Sequence, residues 1–409
     1  MRRISPTCCA GVLKTSSTDL GPPSLTLTRH NIRCIGRLAS MESSAVYPRP
    51  MLKQLPAYQS GKPPVETPGL TPYKLASNEN PYAPVPQALE AMVSAVTAQS
   101  VQRYPETTYL KLRELISQTY DVPVDDVTVG AGSLGILTGL VQTFAGANDD
   151  GSQDEVIIPW RSFEAYPIVI RSAGAKDVQV PLKADGTMDL EGMAAAITER
   201  TRMVMLCTPN NPTGTIATTS ALRAFIEQVP DHILIAIDAA YLEFVRNDDV
   251  DSYLELYREF PNVAVLRTFS KAHGLANMRV GYSIAAPQIS LPLKVVVPAF
   301  ATSSVGVEAA YASLTHLDEV LARTEKVVSE RTRVWQAFRD LGYNPPATEA
   351  NFVWLPLGEL SQAFSDACDE QALSVRAFHP EGVRVSIGEV EANDRVIKVA
   401  TDFASRLIG

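Results

Sequence analysis

Three segments of the sequence place Asn, Asp and Lys side chains directly after short β-rich runs. They are TPNNPTG at 208–214, DAAYLEF at 238–244 and TFSKAHGLANMRVGY at 268–282, and a fourth segment, GVRVSIG at 382–388, adds an arginine. In parallel sheets, ligands bind beyond the carboxyl ends of the strands. The order and position of these segments therefore predict that they contribute to one site.

The residue types in these segments suit the chemistry of pyridoxal phosphate. Lys271 can form an imine with an aldehyde cofactor and later act as a base. Asp238, one strand away, can pair with a protonated pyridine nitrogen, which keeps the ring an electron sink. Ser270 and Arg279 suit a phosphate dianion, and Arg384 offers a bidentate partner to the α-carboxylate of an amino acid.

Each residue taken alone also has a structural interpretation. A lysine after a strand is usually a solvated surface residue, and Asp238 could cap a helix. NNPTG could be only a turn, and Arg384 could be a surface ion-pair partner of little energetic consequence. Their joint occurrence, in one order and next to strand ends, favours the catalytic interpretation.

The same segments resemble the histidinol-phosphate aminotransferase group within the fold type I aminotransferases. The resemblance runs over residues 50–405 and includes AYQSGK at 57–62, KLASNENPY at 74–82, RYPE at 103–106 and EANFVWL at 349–355. Two further segments, WRSFEAYPI at 160–168 and VRAFHPEGVRVSIG at 375–388, resemble the aromatic (phenylalanine-type) branch of that group.

The resemblance implies a role for each matching residue. Lys271 is expected to form the Schiff base with pyridoxal 5'-phosphate, Asp238 to pair with the pyridinium, and Tyr241 with Asn211 to bind the ring hydroxyl. The other cofactor-binding residues that the resemblance implies are Gly132, Ser133, Leu134, Thr268, Ser270 and Arg279 around the phosphate, Phe163 stacked on the ring, and Tyr104 reaching the phosphate of a neighbouring subunit. The backbone amides at 132–134 fit the affinity of a helix start for anions.

The resemblance also implies the substrates and the assembly. Arg384 is expected to clamp the substrate carboxylate, with Arg376, Tyr58 and Asn211 lining the pocket. The amino group of phenylalanine or tyrosine would pass to a 2-oxo acid, normally 2-oxoglutarate, and histidinol phosphate is the alternative donor. Tyr104 implies a homodimer with shared active sites.

The chain departs from the family pattern at several positions. Ala239 stands where the family usually has Glu, and Asn277 replaces a usual glycine. Leu134 and Gly135 stand where acidic residues are common, and PAFATSS at 298–304 replaces a turn rich in Pro and Phe. These changes leave every catalytic group in place, so they bear on substrate preference more than on the reaction.

Three other functions compete with this interpretation. GAGSLG at 130–135 matches the GxGxxG pattern of NAD-dependent dehydrogenases, but the run at 156–158 ends in Pro159 and Trp160 without the expected acid. A non-catalytic pyridoxal-phosphate sensor would usually carry a DNA-binding domain, for which the N-terminal 40 residues are too short and aperiodic. A decarboxylase of the same fold shares the cofactor-binding residues and is harder to separate.

Strands and helices alternate through the body of the chain. The predicted strands are 127–129, 156–158, 178–180, 203–206, 233–237, 263–266 and 280–284, with helices at 134–144, 190–197 and 221–228. This alternation predicts an α/β fold with a large, mainly parallel sheet, of the aspartate aminotransferase-like fold type I. A long helical region at 305–341 and strands at 351–355 and 383–387 predict a smaller α+β C-terminal domain.

Composition and charge limit the class of protein. The 409 residues favour two domains, predicted at 76–300 and 301–409 after an N-terminal arm at 46–75. The net charge of −9 argues against binding nucleic acid or anionic membranes, and no apolar run is long enough to span a bilayer. The five cysteines show no metal-binding or disulfide spacing, so we expect no metal and a cytoplasmic protein.

The N-terminal segment differs from the body in composition. Six basic residues face one acidic residue in the first 40 positions, and Ser and Thr are frequent. Such a segment is typical of an organelle transit peptide, and equally of a disordered tail or of extra sequence upstream of Met41. We predict that residues 1–45 are a disordered or non-native extension.

Overall fold

The computed structural model describes residues 49, 52, 55, 57–98 and 102–407. The predictions for residues 1–45, including targeting, therefore lie outside the described residues. In the first 300 residues the elements are β1 (Tyr73–Lys74), α1 (Pro86–Ala98), α2 (Leu110–Tyr120), β2 (Val127–Gly130), α3 (Gly132–Phe144), β3 (Glu155–Trp160), α4 (Ala165–Ala173), β4 (Lys176–Pro181), α5 (Leu190–Ala195), β5 (Thr201–Cys207), α6 (Thr219–Ile226), β6 (Leu234–Asp238), α7 (Leu254–Glu259), β7 (Val263–Thr268), β8 (Gly281–Ala285) and α8 (Pro287–Val296).

A seven-stranded sheet organises this part of the chain. Its strand order is β2-β8-β7-β6-β5-β3-β4, and β8 runs antiparallel to both of its neighbours while the other pairs are parallel. Helices cover both faces, so successive residues of β6 enter different cores: Ile235 and Ile237 pack on one face, and Leu234 and Ala236 on the other. The predicted α/β class with a mainly parallel sheet is confirmed.

The register of three central strands brings the polar segments together. Cys207 at the end of β5 pairs with Asp238 at the end of β6, and β7 lies beside β6 and ends at Thr268. The segments that follow these strands therefore meet at one edge of the sheet. Asp238 and Thr268, which the sequence places after the strands, are instead their last residues.

The remaining elements form a second layered region. They are α9 (Ser304–Thr315), α10 (Leu317–Asp340), β9 (Phe352–Leu355), α11 (Ser361–Glu370), β10 (Leu373–Ser374), β11 (Arg376–Phe378), β12 (Gly382–Ser386) and α12 (Val390–Phe403). The antiparallel sheet β11-β12-β9 shares a hydrophobic core with α10, α11 and α12, while β10 pairs with β1. This separate core supports our proposal of a small domain at 301–409.

The long helix predicted at 305–341 is wrong in one respect, because the structure breaks it at His316. The backbone of His316 leaves the helical region, with φ −110° and ψ 41°. Its ring Nδ1 lies 2.9 Å from the carbonyl of Ala312, and its own carbonyl accepts the amides of Glu319 and Val320. One residue thus ends α9 and begins α10. Apolar periodicity continues across this break and does not mark it.

No helix in the described ranges is long and apolar enough to cross a membrane.

Candidate active site

A cavity of about 330 Å³ opens at the carboxyl edge of the seven-stranded sheet. The three-stranded sheet and the segments around Tyr58 and Asn78 close its other sides. Almost all predicted site residues line this cavity: Tyr58, Ser133, Leu134, Phe163, Asn211, Asp238, Tyr241, Thr268, Ser270, Lys271, Arg279, Arg376 and Arg384. Gly132 lies directly behind it, and Tyr104 lies elsewhere.

Asp238, Ser270 and Lys271, at the ends of β6 and β7, form what we call the sheet face of the pocket. The side chain of Lys271 is half-buried, and its Nζ donates to the carbonyl of Ser77 over 3.3 Å. Burial lowers the pKa of Lys271 to about 8, and the nearby charges of Arg384 and Arg279 act in the same direction. A lysine with this pKa is neutral in a substantial fraction at ordinary pH, which a nucleophile or base requires.

Asp238 is buried and only half satisfied. Its Oδ2 accepts a hydrogen bond of 2.9 Å from the hydroxyl of Tyr166, which is itself fully buried. Its Oδ1 has no partner in the described structure. Burial raises the pKa of Asp238, while Tyr166 and the charge of Lys271 oppose that rise. A buried carboxylate oxygen without a partner is costly, so a cationic donor placed in the pocket would be bound strongly.

The hydroxyl of Tyr241 lies on the cavity beside an asparagine. It accepts a hydrogen bond of 2.9 Å from Nδ2 of Asn78, and the Tyr241 ring lies 5.5 Å from Nζ of Lys271. Asn78 has a left-handed backbone, with φ 53°. Its amide donates to the hydroxyl of Ser386 over 2.8 Å, and its carbonyl accepts from Asn351 over 3.1 Å. The position of Tyr241 therefore depends on residues of the C-terminal region.

Backbone amides and a guanidinium form an anion-binding cup at the start of α3. Ser133 and Leu134 lie in its first turn, and Nη1 of Arg279 donates to the hydroxyl of Ser270 over 3.3 Å. A Cβ atom at Gly132 would lie 2.6 Å from Nη2 of Arg279, and one at Gly281 would lie 2.3 Å from the amide nitrogen of Ser133. Only glycine at both positions permits this approach of the guanidinium to the helix start.

Arg376 and Arg384 are directly opposite each other on β11 and β12 and form what we call the arginine face. Arg384 is buried and donates to the side-chain oxygen of Asn211 and to the carbonyl of Ala76, but its Nε has no partner in the described structure. Its buried charge therefore faces only neutral acceptors. A carboxylate entering the pocket would supply the missing anion.

The donor set fits pyridoxal phosphate. The free Oδ1 of Asp238 suits a pyridinium N–H, the helix start with Arg279 suits a phosphate, and Lys271 lies between them at the aldehyde's distance from neither group being specified by the protein alone. Phe163 lines the same cavity and makes an edge contact with Tyr166, their centroids 5.6 Å apart. These observations support the predicted roles of these residues, which we carry forward as proposals.

Tyr104 is the predicted site residue that lies away from this cavity. Its side chain is 81% exposed and stacks on Phe300, with ring centroids 4.4 Å apart. The role expected for it belongs to a neighbouring subunit and stays a prediction. Of the unusual positions, Ala239 is fully buried in the core beneath the sheet, and Asn277 is exposed.

Sequence reasoning missed three residues that line or support the pocket: Asn78, Tyr166 and Glu164. All three lie within segments that carry the family resemblance, SNEN and SFEAY. Their types gave a signal, since a polar side chain inside a matching segment is a candidate for the site. Their partners are distant in the chain, so their tasks were not visible.

Comparison with known proteins gives a consistent result. The family model described as aminotransferase class I and II matches residues 71–399. The aromatic amino acid aminotransferase of Mycobacteroides abscessus is 50% identical over 351 residues, covering 86% of this chain and 97% of the relative. That of Streptomyces coelicolor is 45% identical over 359 residues, covering 88% and 98%.

Solved structures share the fold at lower identity. Histidinol-phosphate aminotransferase from Sinorhizobium meliloti, in complex with pyridoxal-5'-phosphate, superposes with a TM-score of 0.79 at 24% identity, covering 90% of this chain and 100% of that one. Aspartate aminotransferase from Thermotoga maritima superposes with a TM-score of 0.72 at 19% identity, covering 82% and 92%. At these identities the likeness concerns the fold alone.

Proposed function

The chain belongs to the class I and II aminotransferases, which depend on pyridoxal phosphate, and from this premise we propose that it transfers the amino group of an aromatic amino acid to 2-oxoglutarate. The predicted fold type I architecture is confirmed by the solved structures of the same fold. The dehydrogenase, decarboxylase and sensor alternatives lose their support, because the family and its relatives are aminotransferases.

We assign the sheet face to the reaction itself. Pyridoxal phosphate, when bound, supplies an aldehyde that accepts the amino group and a ring that withdraws electrons. Lys271 would hold the cofactor covalently and then move the proton at the substrate α-carbon. Asp238 would keep the pyridine nitrogen protonated, with Tyr166 fixing its carboxylate. Tyr241 and Asn211 would bind the ring hydroxyl, and Thr268, Ser270 and Arg279 would hold the phosphate with the amides of 132–134.

One observation carries the assignment of substrate: beside a single uncompensated arginine, the pocket presents aromatic surface and a neutralised second arginine. Arg384 lacks an anionic partner, while Arg376 is paired with Glu164 at 2.8 Å. Phe163 and Phe378 line the space between the two faces. A ligand with one carboxylate and an apolar ring satisfies Arg384 and leaves no other buried charge unpaired. Phenylalanine and tyrosine are such ligands.

Kinetics with a set of amino donors test this proposal. We expect phenylalanine and tyrosine to have a higher kcat/KM than histidinol phosphate and aspartate, with 2-oxoglutarate as acceptor. A tenfold discrimination needs only about 1.4 kcal/mol, which one mispaired polar group can supply. Equal efficiency with histidinol phosphate would refute the aromatic assignment and leave the aminotransferase family unaffected.

We also propose a homodimer in which Tyr104 reaches the cofactor phosphate of the partner subunit. The exposure of Tyr104 and Phe300 on one surface supports this proposal. Mixing inactive Lys271→Ala subunits with Tyr104→Phe subunits tests it. A shared site predicts that the mixed dimer regains one intact site, with Lys271 from one subunit and Tyr104 from the other. Activity no higher than that of the Tyr104→Phe subunits alone contradicts the proposal.

A further inference from the structure

Glu164 lines the pocket, and the proposed reaction gives it no task. It lies just before α4, where its side chain makes no cap of that helix. Its Oε2 instead accepts a hydrogen bond of 2.8 Å from Nη2 of Arg376, although the two residues are 212 positions apart. Arg376 is 9% exposed. A carboxylate thus lies against one of the two arginines that a substrate would meet.

A second arginine lies within reach of the same carboxylate. Nη1 of Arg161 is 3.9 Å from Oε1 of Glu164, and the guanidinium of Arg161 is also paired with Glu381. Glu164 therefore has two cationic neighbours, one inside the pocket and one at its border. A small rotation of the Glu164 side chain can exchange the first for the second without leaving its charge unpaired.

The two arginines of the arginine face differ in this respect. Arg384 contacts only neutral acceptors, whereas Arg376 already has an anion. The ring of Phe378 lies beside both guanidinium groups, at 5.7 Å from Arg384 and 5.2 Å from Arg376. A substrate carboxylate at Arg384 thus places the substrate's side chain towards Phe378 and the Arg376–Glu164 pair. The state of that pair decides what the side chain meets.

We propose that Glu164 determines which substrate side chains the pocket accepts, by neutralising Arg376 for apolar side chains and moving to Arg161 when a second carboxylate arrives. This inference rests on the proposed function, because an enzyme that joins an aromatic donor to a dicarboxylic acceptor must bind both in one pocket. The paired state suits phenylalanine. The exchanged state frees Arg376 for the distal carboxylate of 2-oxoglutarate or glutamate.

Two unreactive ligands separate these states on the cofactor-loaded enzyme. Glutarate and 3-phenylpropionate each carry one carboxylate for Arg384, and they differ in having a second carboxylate or a phenyl ring. We expect Glu164→Gln to bind glutarate about tenfold more tightly, because Arg376 loses its competing anion, and to bind 3-phenylpropionate with little change. Titration calorimetry measures both dissociation constants. The ratio of kcat/KM for glutamate to that for phenylalanine should rise in parallel.

Glu381→Gln is the matched control, because it removes the same charge beside Arg161 while Glu381 does not touch Arg376. We expect a much smaller change than for Glu164→Gln. Equal changes in the two variants would overturn the proposal, since they would reflect general electrostatics. So would a Glu164→Gln protein whose glutarate-to-phenylpropionate ratio equals that of wild type.

A second background keeps the test decisive. Arg376→Gln should weaken glutarate binding and spare 3-phenylpropionate, and adding Glu164→Gln to it should produce no further gain for glutarate. A gain in that background means that Glu164 acts elsewhere and overturns the proposal. Turnover of phenylalanine by the wild type is read separately. Its failure would refute the proposed function, while these binding ratios would still report on Glu164.

Discussion

The sheet face and the arginine face meet across one pocket but hold their charged groups differently. On the sheet face, Tyr166 fixes one oxygen of Asp238 and the other oxygen is free, so one arrangement is available. On the arginine face, Arg376 shares a carboxylate with Arg161, so two arrangements are available. The first face is built for a ligand that stays, and the second for ligands that alternate.

This difference has a kinetic consequence. A change on the sheet face should lower the rate with every substrate alike, because it removes stabilisation of a transition state common to all of them. A change at the Arg376–Glu164 pair should act on one substrate class and spare the other. Arg384 is the exception on its own face, since every amino acid and 2-oxo acid carries the carboxylate that it would bind.

The largest expected effect is that of Lys271→Ala. We expect turnover to fall by on the order of 10⁴-fold with every donor, because both covalent attachment and proton transfer are lost. The fold should persist, since Nζ makes a single contact of 3.3 Å with Ser77. Turnover assays and a thermal melt measure this. The exposed Lys326→Ala is the control. In the wild type, borohydride should fix the cofactor on Lys271, and its appearance on another lysine would refute the assignment.

Asp238→Asn should cost less, about 10²–10³-fold in kcat, with a smaller change in cofactor affinity. An amide does not keep the pyridine nitrogen protonated, so electron withdrawal is lost. Tyr166→Phe is the matched variant, because it removes only the hydroxyl on Oδ2. We expect it to cost about tenfold or less. Stopped-flow half-reactions and cofactor titrations measure both. Near-normal turnover of Asp238→Asn would make Asp238 a structural residue.

Arg384→Gln should lower kcat/KM by about 10²-fold, the loss of one buried charge-assisted contact. The loss should be equal for phenylalanine and glutamate, because both present an α-carboxylate. Steady-state kinetics with the two donors decide it. Arg376→Gln is the control, with an expected effect on glutamate alone. A loss confined to glutamate in Arg384→Gln would reverse the roles of the two arginines.

The smallest expected effect is a pH dependence of cofactor loading. Lys271 has its pKa lowered to about 8 and attacks only when neutral, so the neutral fraction rises as pH increases through that value. Between pH 7 and pH 9 the loading rate of the cofactor-free protein should rise about tenfold and then level off. Absorbance changes after mixing with pyridoxal phosphate measure it. A rate still rising steeply above pH 9 would indicate an unperturbed lysine.

The sheet face was largely predictable from the sequence, for a physical reason. Parallel strands buried on both faces appear as short β-rich runs, and the residues that follow them must meet at one edge. Asp238 and Lys271 each follow or end such a run, so their proximity could be derived before the structure was known. The predicted strands agree with β2 to β8 to within a few residues at their ends.

The arginine face was less predictable. Arg376 and Arg384 were recognised, but the Arg376–Glu164 pair joins residues 212 positions apart on elements whose relation only the tertiary fold sets. The break at His316 depends on hydrogen bonds to Ala312, which apolar periodicity does not encode. Asn78 also escaped notice, because its task arises from contacts with Tyr241, Ser386 and Asn351.

The left-handed Asn78 has a mechanical consequence. Its side-chain amide holds Tyr241 beside the large sheet, while its own amide and carbonyl are held by Ser386 and Asn351. Separating the two sheets would break all of these bonds together, with a cost shared by no other single residue named above. We therefore expect ligands to enter by local movement of the exposed Tyr58 and of the Arg161–Glu381 pair, with the two halves of the pocket staying fastened like the fixed jaws of a clamp.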